Sequence, residues 1–245
     1  MTPTRRTLAL SLLCTALAAA GCGDDDGPQQ LASGCALADV SGSTRTARSE
    51  YAGAFASFAR HIGERGSGRL CLIIAAGDPI AESAPLFAPV GPSEEHRDSP
   101  DYAPGEITEN VNVARTDFES MMTDPPVSAR GSALVEAAVV AADVLAPGDR
   151  LTILSDGIQT SETVGDFHDV DLSEAGITAL LDRLEQAGLL ADLQNVTVEM
   201  PLLLYHPGGL NMSAERQAAI RRFWQRWAER AGARLDLSPQ PQRIS

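Results

Sequence analysis

Three short polar segments carry the residue types from which an ion site could be built: Asp39-Val40-Ser41-Gly42-Ser43, Arg130-Gly131-Ser132-Ala133-Leu134 and Ser155-Asp156-Gly157. Each interrupts apolar sequence. Together Asp39, Ser41, Ser43, Ser132 and Asp156 offer two carboxylates and three hydroxyls, all hard oxygen donors. Mg²⁺ takes six such donors at about 2.0–2.1 Å and keeps several waters, and Mn²⁺ or Ca²⁺ accept similar shells. Taken singly, Asp39 also reads as the cap of a following helix and Asp156-Gly157 as a simple turn. Only a scaffold that gathers all three segments makes a site.

The pattern along the chain supplies such a scaffold. Residues 31–38 form a weak first strand of small side chains. In 44–65 the apolar Tyr51, Ala54, Phe55, Phe58 and Ile62 recur at three- and four-residue spacing, a helix that Gly63 and Gly66 end. Residues 69–76 are a continuous apolar run, expected of a strand covered on both faces. After the Gly77-Asp78-Pro79 turn, 80–90 reads as an edge strand, because Pro85 and Pro89 suit an edge better than a centre. A polar loop over 91–106 leads to a helix over 108–122, then an apolar helix over 132–145 and a buried strand over 150–155. Beyond a polar loop at 158–172 come a helix (172–190), a strand bent at Pro201 (196–205), a helix capped by Ser213 (213–231) and a short strand (233–237). This alternation predicts an α/β fold: a three-layer, doubly wound, mostly parallel sheet with helices on both faces. Ligands then sit at the carboxyl ends of the strands, where the three polar segments fall.

Residues 1–21 have the basic, apolar and small-residue regions of an export signal: Arg5 and Arg6, then Leu8 to Leu17, then Ala18 to Gly21. The apolar run is shorter than the ~20 residues that span a bilayer. Ala19-Ala20-Gly21-Cys22 resembles a bacterial lipobox, with Ala19 where that motif usually has Leu. The resemblance implies lipidation of Cys22 and anchoring to the cell membrane or outer membrane, on its extracytoplasmic face. Residues 22–33 then form a tether, 34–238 the folded domain and 239–245 a tail. Two cysteines remain in the domain, Cys35 and Cys71, on neighbouring apolar strands, where either a disulfide or two reduced thiols fit. With 33 acidic residues against 19 basic ones, all arginine, the formal charge of −14 disfavours nucleic acid as a partner.

At the three polar segments the chain resembles the von Willebrand factor A domain family. Its metal-ion-dependent adhesion site reads Asp-x-Ser-x-Ser, then a Thr, then an Asp, on separate loops. Asp39, Ser41 and Ser43 match the first element and Asp156 the last. Ser132 stands at the Thr, keeping the hydroxyl without the methyl that stiffens the rotamer. The resemblance implies direct coordination by Ser41 and Ser43, contact through water from Asp39 and Asp156, and a partner protein whose exposed Asp or Glu completes the shell. The expected function is an extracytoplasmic, lipid-anchored protein-binding module. The alternatives are a metal-dependent hydrolase or phosphohydrolase, or a degenerate domain with a structural envelope role. No Gly-x-Ser-x-Gly elbow, Walker loop or Gly-x-Gly-x-x-Gly motif is present, and no catalytic constellation emerges. His168, Asp169 and Asp171 read as a solvated loop, Asp78 as a turn residue, and Trp224 and Trp227 as core. His61, His96 and His206 lack zinc-ligand spacing.

Overall fold

The computed structural model describes residues 33–42, 44–65, 68–82, 84–124 and 131–238. The export signal, Cys22, Ser43 and the tail lie outside the described residues. The central sheet has six strands: β1 (Gly34–Ala38), β2 (Arg69–Ile74), β3 (Leu86–Pro89), β4 (Arg150–Leu154), β7 (Thr197–Glu199) and β8 (Arg234–Asp236). Their order is β3-β2-β1-β4-β7-β8. Only β3 is antiparallel, pairing Leu72 with Leu86 at the edge. A separate two-stranded hairpin joins β5 (Thr160–Ser161) to β6 (Gly165–Asp166).

Strand alternation divides the interior into two cores. Ala36, Ala38, Leu70, Leu72 and Ile74 face one side, beneath α1 (Arg48–Glu64) and α3 (Ala103–Thr123). There Tyr51, Phe55, Phe58 and Ile62 of α1 pack against Val111 and Phe118 of α3, and the Phe55 and Phe118 rings stack at 4.5 Å. Cys35, Leu37, Cys71, Leu151 and Ile153 face the other side, beneath α4 (Leu134–Ala142), α5 (Glu174–Gln186) and α6 (Ala214–Arg230). Trp224 and Trp227 of α6 are fully buried and meet edge to face at 5.3 Å, each burial contributing a few kcal/mol. Helices on both faces of a mostly parallel sheet define a doubly wound α/β class.

Several boundaries differ from the sequence reading, each for a local reason. Residues 80–82 are not strand: Pro79–Glu82 is a helical turn, α2, with the Ala81 N–H donating to Asp78 Oδ1 at 3.2 Å, and the edge strand starts only at Leu86. Helix α3 begins at Ala103, five residues early, because Pro104 fits a first turn that has no use for its missing N–H. Strand β7 stops at Glu199; Pro201 lies in a turn where Leu203 N–H bonds Met200 C=O and Tyr205 N–H bonds Leu202 C=O. Cys35 and Cys71 stand opposite each other in register as free, buried thiols, so no disulfide joins them in this structure. Burial, together with the neighbouring Cys71, pushes the Cys35 thiol well above its ordinary range.

Chain order and topology fix where loops meet. From β1 the chain crosses one face through α1 to reach β2, and reaches β4 from α4 on the opposite face. The strands on either side of β1 are therefore approached from opposite faces, which opens a crevice at the carboxyl ends of β1 and β4. Asp39 N–H extends the ladder by one bond to Leu154 C=O (3.2 Å), so the residues after both strands start side by side.

Candidate metal centre

Asp39 follows β1 and is fully buried. Its Oδ1 accepts the Ser41 N–H at 2.9 Å, folding the chain into a tight turn, and Thr44 Oγ1 closes that turn by donating to Ser41 C=O at 2.8 Å. A short 3-10 segment, Thr44–Ala47, then leads into α1. Asp39 therefore organises its own loop rather than capping the helix, whose N-cap position, Ala47, has no side-chain bond.

The second loop leads into α4. Ala133 N–H donates to Ala75 C=O beyond β2 at 3.0 Å, drawing Ser132 over the end of β1. The Ser132 hydroxyl donates to the Asp39 carboxylate, 3.2 Å from Oδ1 and 3.1 Å from Oδ2. The third loop follows β4. Ser155 Oγ donates to Asp39 Oδ2 at 2.6 Å and accepts the Gly157 N–H at 3.0 Å, while Asp156 Oδ1 accepts the Ile158 N–H at 3.0 Å. Gly157 has φ +79°, and a Cβ there would collide with Leu203 and press on the Trp224 indole. Trp224 Nε1 donates to Gly157 C=O at 2.9 Å, and Leu204 N–H donates to Asp156 C=O at 2.8 Å. Leu204 accepts a φ of +62° to do so, a conformation uncommon for a side chain of its kind.

Asp39, Ser41, Ser132 and Asp156 thus converge on one crevice, and Ser43 lies outside the described residues. Ser155 joins them with a 2.6 Å bond to Asp39, a role that sequence reasoning missed. Its signal was the hydroxyl standing directly before Asp156 at a strand end. Trp224 and Trp227 are core residues as expected, and Trp224 additionally holds the third loop. His168, Asp169 and Asp171 lie on an exposed loop; Asp166 Oδ1 accepts the His168 N–H and Asp171 Oδ1 the Ser173 N–H, ordinary turn contacts.

Burial pushes Asp39 from its ordinary 3.8 up to about 6; hydrogen bonds from Ser155 and Ser41 pull it down, and the like charge of Asp156 pushes it further up. Burial and the same two carboxylates raise the Tyr51 hydroxyl, on α1, far above its usual range. Among the described residues, the charged group that shifts Asp39 is of its own sign. Two buried carboxylates facing each other are costly, and a cation relieves that cost. Ser132 and Ser155 direct their protons at Asp39, which leaves hydroxyl lone pairs for an electropositive centre. The donor set suits a hard divalent cation on both counts. Among the described residues no three His, Cys, Asp or Glu side chains gather at one point. Among the same residues no helix is long and apolar enough to cross a membrane.

Comparisons with protein-family models, with curated proteins and with solved structures find no significant match. The class of this protein therefore rests on its own architecture: a doubly wound α/β domain with an acidic, hydroxyl-lined site at the switch point of its sheet.

Proposed function

We propose that the chain is a von Willebrand factor A-like domain that holds a divalent cation, Mg²⁺ or else Mn²⁺ or Ca²⁺, through Asp39, Ser41, Ser43, Ser132 and Asp156, and that the cation recruits an acidic group of a partner protein. One observation carries the reading. The buried Asp39 carboxylate accepts hydrogen bonds from hydroxyls on two other loops, and a second carboxylate, Asp156, lies near enough to raise its pKa. Such an arrangement of carboxylates and hydroxyls suits a site built around M²⁺. The mostly parallel sheet with helices on both faces and a crevice at β1 and β4 supports the same reading.

The bound cation would supply an electrophilic centre with open coordination positions. The chain's own residues do the rest. Ser41 and Ser132 present hydroxyl oxygens; Asp39 and Asp156 neutralise charge and order water; the Asp39 carboxylate fixes the direction of the Ser132 and Ser155 protons. The acidic partner follows from charge, since a carboxylate is the side chain that fills an open site on a hard cation. Export and lipidation at Cys22 place the module on the extracytoplasmic face of the bacterial envelope.

The test is thermal unfolding of the purified protein with Mg²⁺ or EDTA. Mg²⁺ at about 100 times its Kd adds about 2.7 kcal/mol, and Asp39→Ala removes that gain. A wild-type melting temperature indifferent to Mg²⁺, Mn²⁺ and Ca²⁺ refutes the metal reading.

A further inference from the structure

A serine just before a helix ordinarily caps it, spending its hydroxyl on the orphan N–H groups of the first turn. Ser132, two residues before α4, does not. The N-cap position of α4 is Ala133, which has no side-chain bond to give. The duty falls to Gln159, fully buried on the far side of the third loop: its Oε1 accepts the N–H groups of Leu134 at 2.8 Å and Val135 at 3.2 Å. Gln159 is itself held. Its Nε2 donates to Glu136 Oε2 at 2.7 Å and to Ser161 Oγ at 2.8 Å, and Ser161 Oγ donates to Glu136 Oε1 at 2.5 Å. The adjoining Thr160 grips Ser132 directly. Thr160 Oγ1 accepts the Ser132 N–H at 2.7 Å, and Thr160 N–H donates to Ser132 C=O at 2.9 Å. Gly131 fits beneath because a Cβ there would strike the Thr160 carbonyl.

We propose that Gln159 and Thr160 are positioning residues of the cation site: Gln159 takes over the capping of α4, and Thr160 clamps the Ser132 backbone, so that the Ser132 hydroxyl faces Asp39. The inference rests on the metal reading above and extends it to residues that touch no cation. It also ties the second and third loops into one unit. Asp156 lies three residues before Gln159, so this polar network links the loop that carries the carboxylate to the loop that carries the hydroxyl.

The experiment titrates Mn²⁺ into the full-length protein, reading bound metal by the loss of free-ion EPR signal and reading metal-free stability by thermal unfolding in EDTA. Thr160→Val keeps the branched shape and removes the acceptor; Thr160→Ser keeps the acceptor. Thr160→Ser is expected to bind Mn²⁺ like the wild type, and Thr160→Val about 10- to 100-fold more weakly, the usual loss when a residue supporting a ligand is removed. In a Ser132→Ala background Thr160→Val is expected to weaken binding no further, because Thr160 acts through Ser132. Equal Mn²⁺ affinity in wild type and Thr160→Val, whatever happens to the melting temperature, overturns the inference and leaves the metal reading intact. Absence of Mn²⁺ binding by the wild type overturns both.

Discussion

Replacing Asp39 by asparagine is expected to stabilise the metal-free protein while destroying its response to metal. In the unfolded chain the carboxyl titrates near 3.8, and in the fold at about 6, chiefly because it is buried and then because Asp156 repels it. The fold thus binds the Asp39 proton more tightly than the unfolded chain does. Between these two values the unfolded chain has lost the proton and the fold still holds it, so stability falls as pH rises through the window and is lowest above it. At about 1.4 kcal/mol for each tenfold difference in proton affinity, the metal-free fold carries a penalty of about 3 kcal/mol at neutral pH. Asparagine has no proton to lose. Its carboxamide oxygen can accept the Ser41 N–H, and its amino group can donate to Ser132 and Ser155 once their hydroxyls turn. Little of the hydrogen bonding need be lost.

At about 2–4 °C per kcal/mol for a domain of this size, Asp39→Asn in EDTA at pH 7 should melt about 6–12 °C above wild type, with the gap closing towards pH 4. Saturating Mg²⁺ should raise wild type alone and shrink or reverse the order. The assay is a calorimetric pH series on both proteins with and without Mg²⁺. An Asp39→Asn protein that melts below wild type in EDTA at pH 7, or a gap that does not change with pH, refutes the argument that a buried, like-charged carboxylate destabilises the empty site.

Two further outcomes follow from the third loop and from the N-terminus. Gly157→Ala puts a Cβ against Leu203 and Trp224 at a φ of +79°, and it should cost about 1–3 kcal/mol in urea unfolding and abolish the Mg²⁺ gain by displacing Asp156. A fully stable, Mg²⁺-responsive variant would refute the requirement for glycine at this turn. Cys22→Ser should move the protein from the membrane fraction to the soluble fraction of its host; unchanged membrane association refutes lipid anchoring.

The sequence exposed what is periodic or local. The run Leu70 to Ile74 announced a strand buried on both faces, and the placing of Asp39 and Asp156 directly after apolar strands put both carboxylates at one end of the sheet. What stayed hidden depends on partners remote in the chain. Ser155 finds Asp39 across 116 residues, and Gln159 caps a helix that begins 25 residues before it. No periodicity encodes either bond. Boundaries were misread where one side chain decides them: Asp78 winds up the turn before β3, Pro104 starts α3 early, and β7 is cut short ahead of the turn that holds Pro201.

The bond from the Trp224 indole to the Gly157 carbonyl gives the protein an optical reporter of its own. The chain has two tryptophans, both on α6 and 5.3 Å apart, so its entire indole emission arises from one helix, and one of those rings is wired to the loop that carries Asp156. Any rearrangement around that carboxylate alters the polarity and hydrogen bonding seen by a fully buried chromophore. On the proposed reading, Mg²⁺ binding is therefore expected to change the intrinsic fluorescence of the unlabelled protein.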